Sequence, residues 1–170
     1  MKKTIFILSV IFSTIFTKSL IAQGTIVDVA IGNKNFSTLV TALKSANLVG
    51  ALQGNGPFTV FAPTNDAFAK IDSETLNSLL EEKNQKILSN ILTYHVISGK
   101  LAASDVVAAL KKGNGSVELT ALNGQIITVM QKEGKIWLID SKGNYSEISA
   151  TDVMGSNGVI HVIDTVVMPK

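Results

Sequence analysis

The chain has 170 residues, among them 15 basic and 13 acidic residues, two histidines and no cysteine. Without cysteine no disulfide can form, so an exported domain of this sequence must be held together by its core alone. Three of the basic residues are lysines in the first 22 positions, which leaves 12 basic against 13 acidic residues, a net charge of −1. Arginine is also absent, and this balance argues against nucleic acid as a partner.

The N-terminus has the layout of a secretory signal peptide. Two lysines near the start are followed by an apolar run over residues 5–16, the run ends before Lys18, and a small residue follows at Ala22. A membrane span needs ~20 apolar residues, so this run is too short for one. We therefore expect residues 1–22 to be cleaved off, with no stable membrane span left. The protein would then be secreted, periplasmic or on the cell surface; an uncleaved anchor is the alternative.

Amphipathic segments with the period of a helix occupy much of the next 90 residues. The first has its apolar residues at positions i, i+3, i+4 and i+7, and three more follow around residues 76–80, 87–92 and 106–110. Gly113 ends the last of them, directly after two lysines. The inward-facing residues of the first segment are Phe36, Leu39, Val40 and Leu43, and the predicted helix N-caps are Asn35, Thr64, Ser73 and Ser104.

Strand signals appear once early and then dominate the last third. Residues 58–61 are β-prone and lie between two prolines, which predicts a short buried strand. Asn123-Gly124 and Glu133-Gly134 predict tight turns between antiparallel strands. The last strand begins after Asn157-Gly158 and is apolar on both faces, which indicates that both faces are buried. Helices followed by antiparallel strands predict a single domain of the α+β class.

The chemistry-bearing residues are few. The two histidines, His95 and His161, have no cysteine to complete a zinc site. No nucleophile elbow, phosphate loop or His-x-x-x-His pair occurs, and the acidic residues are scattered. The sequence therefore predicts no catalytic residue, no metal site and no cofactor, and we expect the protein not to be an enzyme.

Three separated motifs carry a family resemblance. They are Phe-Thr-Val-Phe-Ala-Pro-Thr-Asn-Asp-Ala-Phe at residues 58–68, Tyr-His-Val at residues 94–96, and Asn-Gly-Val-Ile-His-Val-Ile-Asp-Thr-Val-Val-Met-Pro at residues 157–169. In this order and spacing the chain resembles the fasciclin (FAS1) family over residues 25–169. The resemblance implies a β-wedge or sandwich of mainly antiparallel strands with several packed helices. It also implies an extracellular adhesion or binding module.

The resemblance to the fasciclin family indicates two candidate interaction sites. Tyr94 and His95 match the family's tyrosine–histidine motif, which implies a surface that binds adhesion receptors. The alternative is that His95 is a half-buried imidazole that clamps a helix to the sheet, because polar groups in apolar surroundings are usually hydrogen-bonded. Asp152 and Val153 match the position of an acidic–aliphatic pair implicated in receptor binding. The alternative there is that Asp152 is an ordinary turn residue.

The resemblance therefore implies a secreted module that adheres to a surface, a matrix or a partner protein. A second possibility is a carrier of a small hydrophobic molecule, such as a lipid or a pigment, since some fasciclin-like proteins hold one and the core here is rich in valine, isoleucine and leucine.

Overall fold

The computed structural model describes residues 24–170, so the predicted signal peptide lies outside the described residues. The helices are α1 (Ile26–Gly32), α2 (Ser37–Ser45), α3 (Val49–Gln53), α4 (Asn65–Ala69), α5 (Ser73–Leu80), α6 (Gln85–Tyr94) and α7 (Ala103–Lys112). The strands are β1 (Phe58–Pro63), β2 (Val96–Ser98), β3 (Ser116–Thr120), β4 (Ile126–Lys132), β5 (Lys135–Ile139), β6 (Tyr145–Gly155) and β7 (Gly158–Ile163). Short 3-10 turns at Lys34–Phe36 and Glu82–Asn84 precede α2 and α6.

The described strands form a single sheet in the order β2-β1-β7-β6-β5-β4-β3. Only β1 and β7 pair in parallel, and the other neighbours are antiparallel. An isolated bridge between Ile97 and Ala121 brings β2 back to the end of β3, so the sheet is curved almost into a barrel. This architecture confirms the α+β expectation and its mainly antiparallel strands.

Two apolar clusters lie on opposite sides of β1 and β7. Helices α1 to α4 and α6 contribute the first cluster, together with Val60 and Ala62 of β1 and Ile160 of β7. The second fills the interior of the curved sheet, where α7 packs beside residues of β1, β4 and β7. Phe61 is completely buried in this interior. Strands β1 and β7 are therefore covered on both faces, as their apolar sequences predict.

Helix starts agree with the predicted caps only where the cap is local. Thr64 accepts a hydrogen bond from the Ala67 N–H and caps α4, as expected. Helix α5 is capped one residue earlier than expected, by Asp72, whose carboxylate accepts from the Thr75 N–H at 3.0 Å. Aspartate and serine both cap helices, so the neighbouring Asp72 and Ser73 were equally suited by residue type, and the fold uses the first.

Two predicted N-caps are wrong because, in each case, a residue far away in the sequence caps the helix instead. Asn35 lies inside a 3-10 turn, and the start of α2 is capped by Asn65, whose Oδ1 accepts from the Thr38 N–H at 3.0 Å. Ser104 lies inside α7, which begins at Ala103. Adjacent residues alone do not show such long-range caps.

The predicted turns between strands are present. Asn123-Gly124 lies in the connection between β3 and β4, which pair antiparallel. Glu133 and Gly134 join β4 to β5 as a two-residue turn with φ of 53° and 76°, the left-handed pair that a tight hairpin requires. Ile87, the first apolar residue of the amphipathic segment over residues 87–92, does not share the burial of that segment, since 54% of it is exposed.

Candidate functional site

Tyr94 lies at the end of α6 and points into the interior of the curved sheet, where it is completely buried. Its hydroxyl donates to the Ile126 carbonyl at 2.8 Å and lies 3.2 Å from the Ser141 hydroxyl. Burial raises the pKa of this phenol, against the smaller effect of the Ser141 hydrogen bond. The side chain therefore joins α6 to the start of β4 and offers no surface to a partner.

His95 follows Tyr94 and is 2% exposed, so it is buried more deeply than the half-buried position expected. Its Nδ1 lies 2.8 Å from the Ile91 carbonyl, and its Nε2 lies 3.2 Å from the Val167 backbone nitrogen. The backbone carbonyl of His95 accepts from the Phe61 N–H at 2.9 Å. One residue thus joins α6, β1 and the C-terminal segment.

These contacts determine the protonation state of His95. The Val167 N–H must donate to Nε2, so the proton of the neutral ring is on Nδ1 and points at the Ile91 carbonyl. Burial lowers the pKa to about 4, against the Ile91 hydrogen bond, which would raise it. The arrangement is that of a structural clamp, and the assignment of Tyr94 and His95 as interaction residues stays a prediction.

His161, in the middle of β7, is the second buried imidazole. Its Nε2 lies 2.7 Å from the Leu101 carbonyl, and its Nδ1 lies 3.4 Å from the backbone nitrogen of Asp152. The ring packs against Phe61 with 5.8 Å between ring centroids. His161 is therefore a hydrogen-bonding residue of the strand interior.

Asp152 lies inside β6 and not in a turn. It belongs to an irregular stretch where the pairing of β6 with β7 shifts, and its φ is 60°, a conformation that aspartate tolerates better than most residues. The side chain is exposed, and its carboxylate accepts from the Ala103 N–H at 2.8 Å, at the first turn of α7. Asp152 therefore acts as a cap for α7 from a distant strand.

Val153 does not share the exposure of Asp152. It is partly buried and packs against the helical cluster, opposite Ile160 of β7. Of the four residues that the resemblance names, only Asp152 has an exposed side chain. The structure therefore does not bring the four together on one accessible surface.

The final motif begins with a residue whose structural role the sequence did not reveal. The side-chain amide of Asn157 donates to the carbonyls of Leu52 and Gly54 at 2.8 and 2.9 Å, and its Oδ1 accepts from the Ile26 N–H at 3.0 Å. One side chain thus joins α1, the end of α3 and the start of β7. Gly158 is required beside it, because a Cβ there would collide with the Phe58 carbonyl.

Two carboxylates that the sequence analysis passed over also hold the fold together. Asp140 is 5% exposed and accepts hydrogen bonds from the N–H groups of Lys142, Asn144 and Met168. Burial alone would raise its pKa, but these hydrogen bonds outweigh burial and lower the pKa. Asp164 likewise accepts from the Glu147 N–H and from Lys70, with the same direction of pKa shift. For Asp140, the sequence pattern that could have indicated this role is the Asp-x-x-Gly-Asn turn at residues 140–144.

The outward face of the sheet carries a strip of large apolar side chains, which we call the outer strip: Ile126, Met130, Trp137, Ile139 and Tyr145. Register places them together, since Met130 lies opposite Trp137 and Ile139 lies opposite Tyr145. None belongs to either core cluster. Their immediate neighbours Ile127, Val129 and Leu138 point inward and are completely buried.

Exposure distinguishes the outer strip from ordinary sheet surface. Ile126 is 51% and Tyr145 52% exposed, and Trp137, the chain's only tryptophan, stands edge-on to Tyr145 at 6.3 Å between ring centroids. Thr128 and Glu147 are the polar neighbours within the same rows. An uncovered antiparallel face is usually polar, so this composition is unusual.

Enclosed space within the described fold is limited. A cavity of about 20 Å³ lies between helices α1 to α3 and strands β1 and β7, lined only by apolar residues such as Leu39, Leu52 and Val60. That is room for roughly one water-sized molecule, and a cavity without polar groups stays dry. Among residues 24–170 no group of three metal-ligating side chains comes together.

Comparison with known proteins agrees with this architecture. The fasciclin domain model matches residues 34–169. The chain belongs to the fasciclin domain family. The FAS1 domain pair of the insect cell adhesion molecule Fasciclin I superposes with a TM-score of 0.75 over 85% of this chain and 51% of that one, at 21% identity. The resemblance seen in the three motifs and the expected fold are thereby confirmed.

Bacterial and mammalian proteins are among the relatives of this chain. Protein sll1483 of Synechocystis is 49% identical over 145 residues, which cover 85% of this chain and 73% of the relative. The cell surface glycolipoprotein MPB83 of Mycobacterium bovis is 35% identical over 153 residues, which cover 87% of this chain and 62% of the relative. Within residues 24–170, no helix of this chain has the length and apolar character needed to cross a membrane.

Proposed function

We propose that this fasciclin domain is an extracellular binding module that attaches to a protein or matrix surface through the outer strip. The observation that carries the proposal is the exposure of Ile126 and Tyr145 beside Trp137, on a face that neither core cluster uses. Exposed apolar patches commonly mark interaction sites. Tryptophan, tyrosine and methionine are the residue types enriched at protein interfaces.

The size of the outer strip favours a short partner segment over a second copy of the chain. The outer strip lies on β4, β5 and β6, and three strands at ~4.8 Å spacing with about five residues of each at ~3.3 Å give an area of roughly 240 Å². A stable dimer commonly buries about 800 Å² on each partner. The occupant that fits is a segment of a partner protein with apolar side chains, held weakly at each site. Repeated weak contacts between two surfaces are sufficient for adhesion.

The family supports a role outside the cell. MPB83 is named a cell surface protein, and the similar solved domains come from a cell adhesion molecule. The predicted signal peptide of residues 1–22 would supply the export that this role requires. A carrier of a lipid or pigment has less support, because the apolar cavity holds only about 20 Å³ and the larger clefts, of about 360 to 520 Å³, are open to solvent and partly polar, whereas ligand pockets of ~300–1,000 Å³ are mostly apolar and bury most of the ligand.

The experiment compares two isoleucines with almost the same exposure. Ile126 lies in the outer strip and Ile87 lies on α6, at 51% and 54% exposure. The variants Ile126→Lys and Ile87→Lys add the same charge at almost the same exposure. The comparison therefore tests whether the position within the outer strip matters for binding. Mature protein is applied to wells coated with an extracellular-matrix extract and detected with an antibody, or it is passed over a sensor chip that carries the same extract and measured by surface plasmon resonance. The thermal unfolding of each variant is measured in parallel.

We expect Ile126→Lys to weaken binding about tenfold, the effect of losing ~1.4 kcal/mol at an interface, and Ile87→Lys to bind like the original protein. Equal binding by the two variants, with both folded, would reject the outer strip as the binding surface. A stable dimer in sedimentation would reject the short-segment occupant, and a lipid or pigment that copurifies would favour the carrier function.

A further inference from the structure

The chain contains four Asn-Gly pairs, at residues 55–56, 114–115, 123–124 and 157–158. Asn-Gly is the sequence in which an asparagine side chain most readily converts to an acid, because glycine has no side chain to hinder attack by its backbone nitrogen. The folded structure treats the four pairs very differently. We infer that Asn55 is a site of spontaneous modification in the folded protein, where the amide is converted to aspartate and isoaspartate.

The reaction needs a free side chain and a free following amide. The backbone nitrogen of Gly56 loses its proton to solvent hydroxide and forms a bond to Cγ of Asn55, and Nδ2 takes up a proton and leaves as ammonia. Water then opens the cyclic imide at either of its two carbonyls. The net change consumes one water and releases one ammonia, and it leaves aspartate or isoaspartate at position 55.

Asn55 meets both requirements. Within residues 24–170 the structure gives no hydrogen-bond partner to the Asn55 side chain or to the Gly56 N–H, and Asn55 is exposed in the bend between α3 and β1. Glycine is also required at position 56, because a Cβ there would collide with the Asn157 carbonyl. Packing of the bend between α3 and β1 therefore requires glycine after Asn55, and glycine is the following residue that allows the fastest conversion of an unprotected asparagine.

The other three pairs are protected to different degrees. Beside Asn114, the Gly115 N–H donates to the Leu110 carbonyl at 2.7 Å. The Asn123 side chain is bonded to Asn90 and to the Gln125 N–H, and the Gly124 N–H donates to Ala121. The Asn157 side chain makes three hydrogen bonds, to backbone groups of residues 26, 52 and 54. Each hydrogen bond that must break slows the reaction by up to about tenfold.

The modification would change the connection between α3 and β1. Asn55 lies two residues beyond the end of α3, whose final carbonyls are held by Asn157. A carboxylate beyond the C-terminus of a helix opposes the negative end of the helix dipole. Isoaspartate also lengthens the backbone by one atom beside Gly56. We expect the modified protein to be less stable, so that Asn55 becomes the first point of chemical ageing in a protein that stays outside the cell.

The test incubates folded protein in warm, mildly alkaline buffer and quantifies conversion at each Asn-Gly pair by peptide mapping and mass spectrometry. An isoaspartyl methyltransferase assay detects the isoaspartate product. We expect Asn55 to convert about tenfold faster than Asn123 and Asn157, with Asn114 between them. The same incubation in denaturant should bring the four rates close together, because all four sites share the Asn-Gly pair and the hydrogen bonds that separated them have been removed.

The variant Asn55→Gln, which disfavours the small cyclic imide, should delay the first acidic species in isoelectric focusing and should leave folding unchanged. A folded protein that converts Asn114, Asn123 or Asn157 first would overturn the inference. An unchanged ranking in denaturant would also overturn it, since that would show that sequence and not the fold sets the order.

Discussion

Protonation of His95 should make the stability of this domain depend on pH in the window between its ordinary pKa and its lowered pKa. The ring is neutral in the fold, with Nε2 accepting from the Val167 N–H, and burial lowers its pKa to about 4 from an ordinary value of 6.5. As pH falls below 6.5 the unfolded chain takes up the proton first. The stabilisation is therefore fully present above pH 6.5 and is lost as pH falls towards 4.

The magnitude follows from the two pKa values. Each pH unit inside the window costs about 1.4 kcal/mol, so the free energy of unfolding should fall by roughly 2 kcal/mol between pH 7 and pH 5. Asp140 and Asp164, whose pKa values are lowered from 3.8, lose their contributions at more acidic pH. Urea titrations at pH 7, 6 and 5 would measure the loss while those carboxylates stay charged.

The control is His95→Gln, a side chain that does not titrate. We expect it to lower stability at pH 7 by about 1–3 kcal/mol, because a buried hydrogen-bonding partner is left unsatisfied. We also expect the difference in stability between the variant and the original protein to shrink as pH falls to 5. A difference that stays constant over this range would refute the assignment of the pH dependence to His95. A variant as stable as the original at pH 7 would refute the clamp itself.

Two further predictions concern the core and the long-range cap. Phe61→Ala should lower the free energy of unfolding by ~3–5 kcal/mol, because Phe61 is completely buried with no disulfide to compensate; a loss under ~1 kcal/mol in urea titration would contradict its place in the core. Asp152→Ala should cost ~0.5–2 kcal/mol by removing the hydrogen bond to the Ala103 N–H, whereas Asp152→Asn should keep most of it. Equal melting temperatures for the alanine variant and the original protein would show that the cap contributes nothing.

The sequence by itself determined the features that depend on neighbouring residues. Residues 58–61 are β-prone and lie between two prolines, and they form most of the buried strand β1. Thr64 caps α4 because its hydroxyl reaches an N–H three residues along. Glu133-Gly134 forms the tight turn that its residue types favour. These features depend only on the conformational preferences of neighbouring residues and on the spacing of apolar residues, both of which can be read from a short stretch of sequence.

The tertiary structure alone decided the contacts between residues far apart in the chain. Asn65 caps α2 and Asp152 caps α7 across 27 and 49 positions, so no local pattern marks them. For His95 the sequence left a binding surface and a structural clamp both open, and packing buries both His95 and Tyr94.

The candidate binding surface was decided in the same way. The alternation of Ile126 to Met130 is that of any strand with one buried face. Only the placement of the helices on the far side of β1 and β7 shows which apolar rows remain uncovered. Burial depends on what packs against a face, and that is a property of the whole fold.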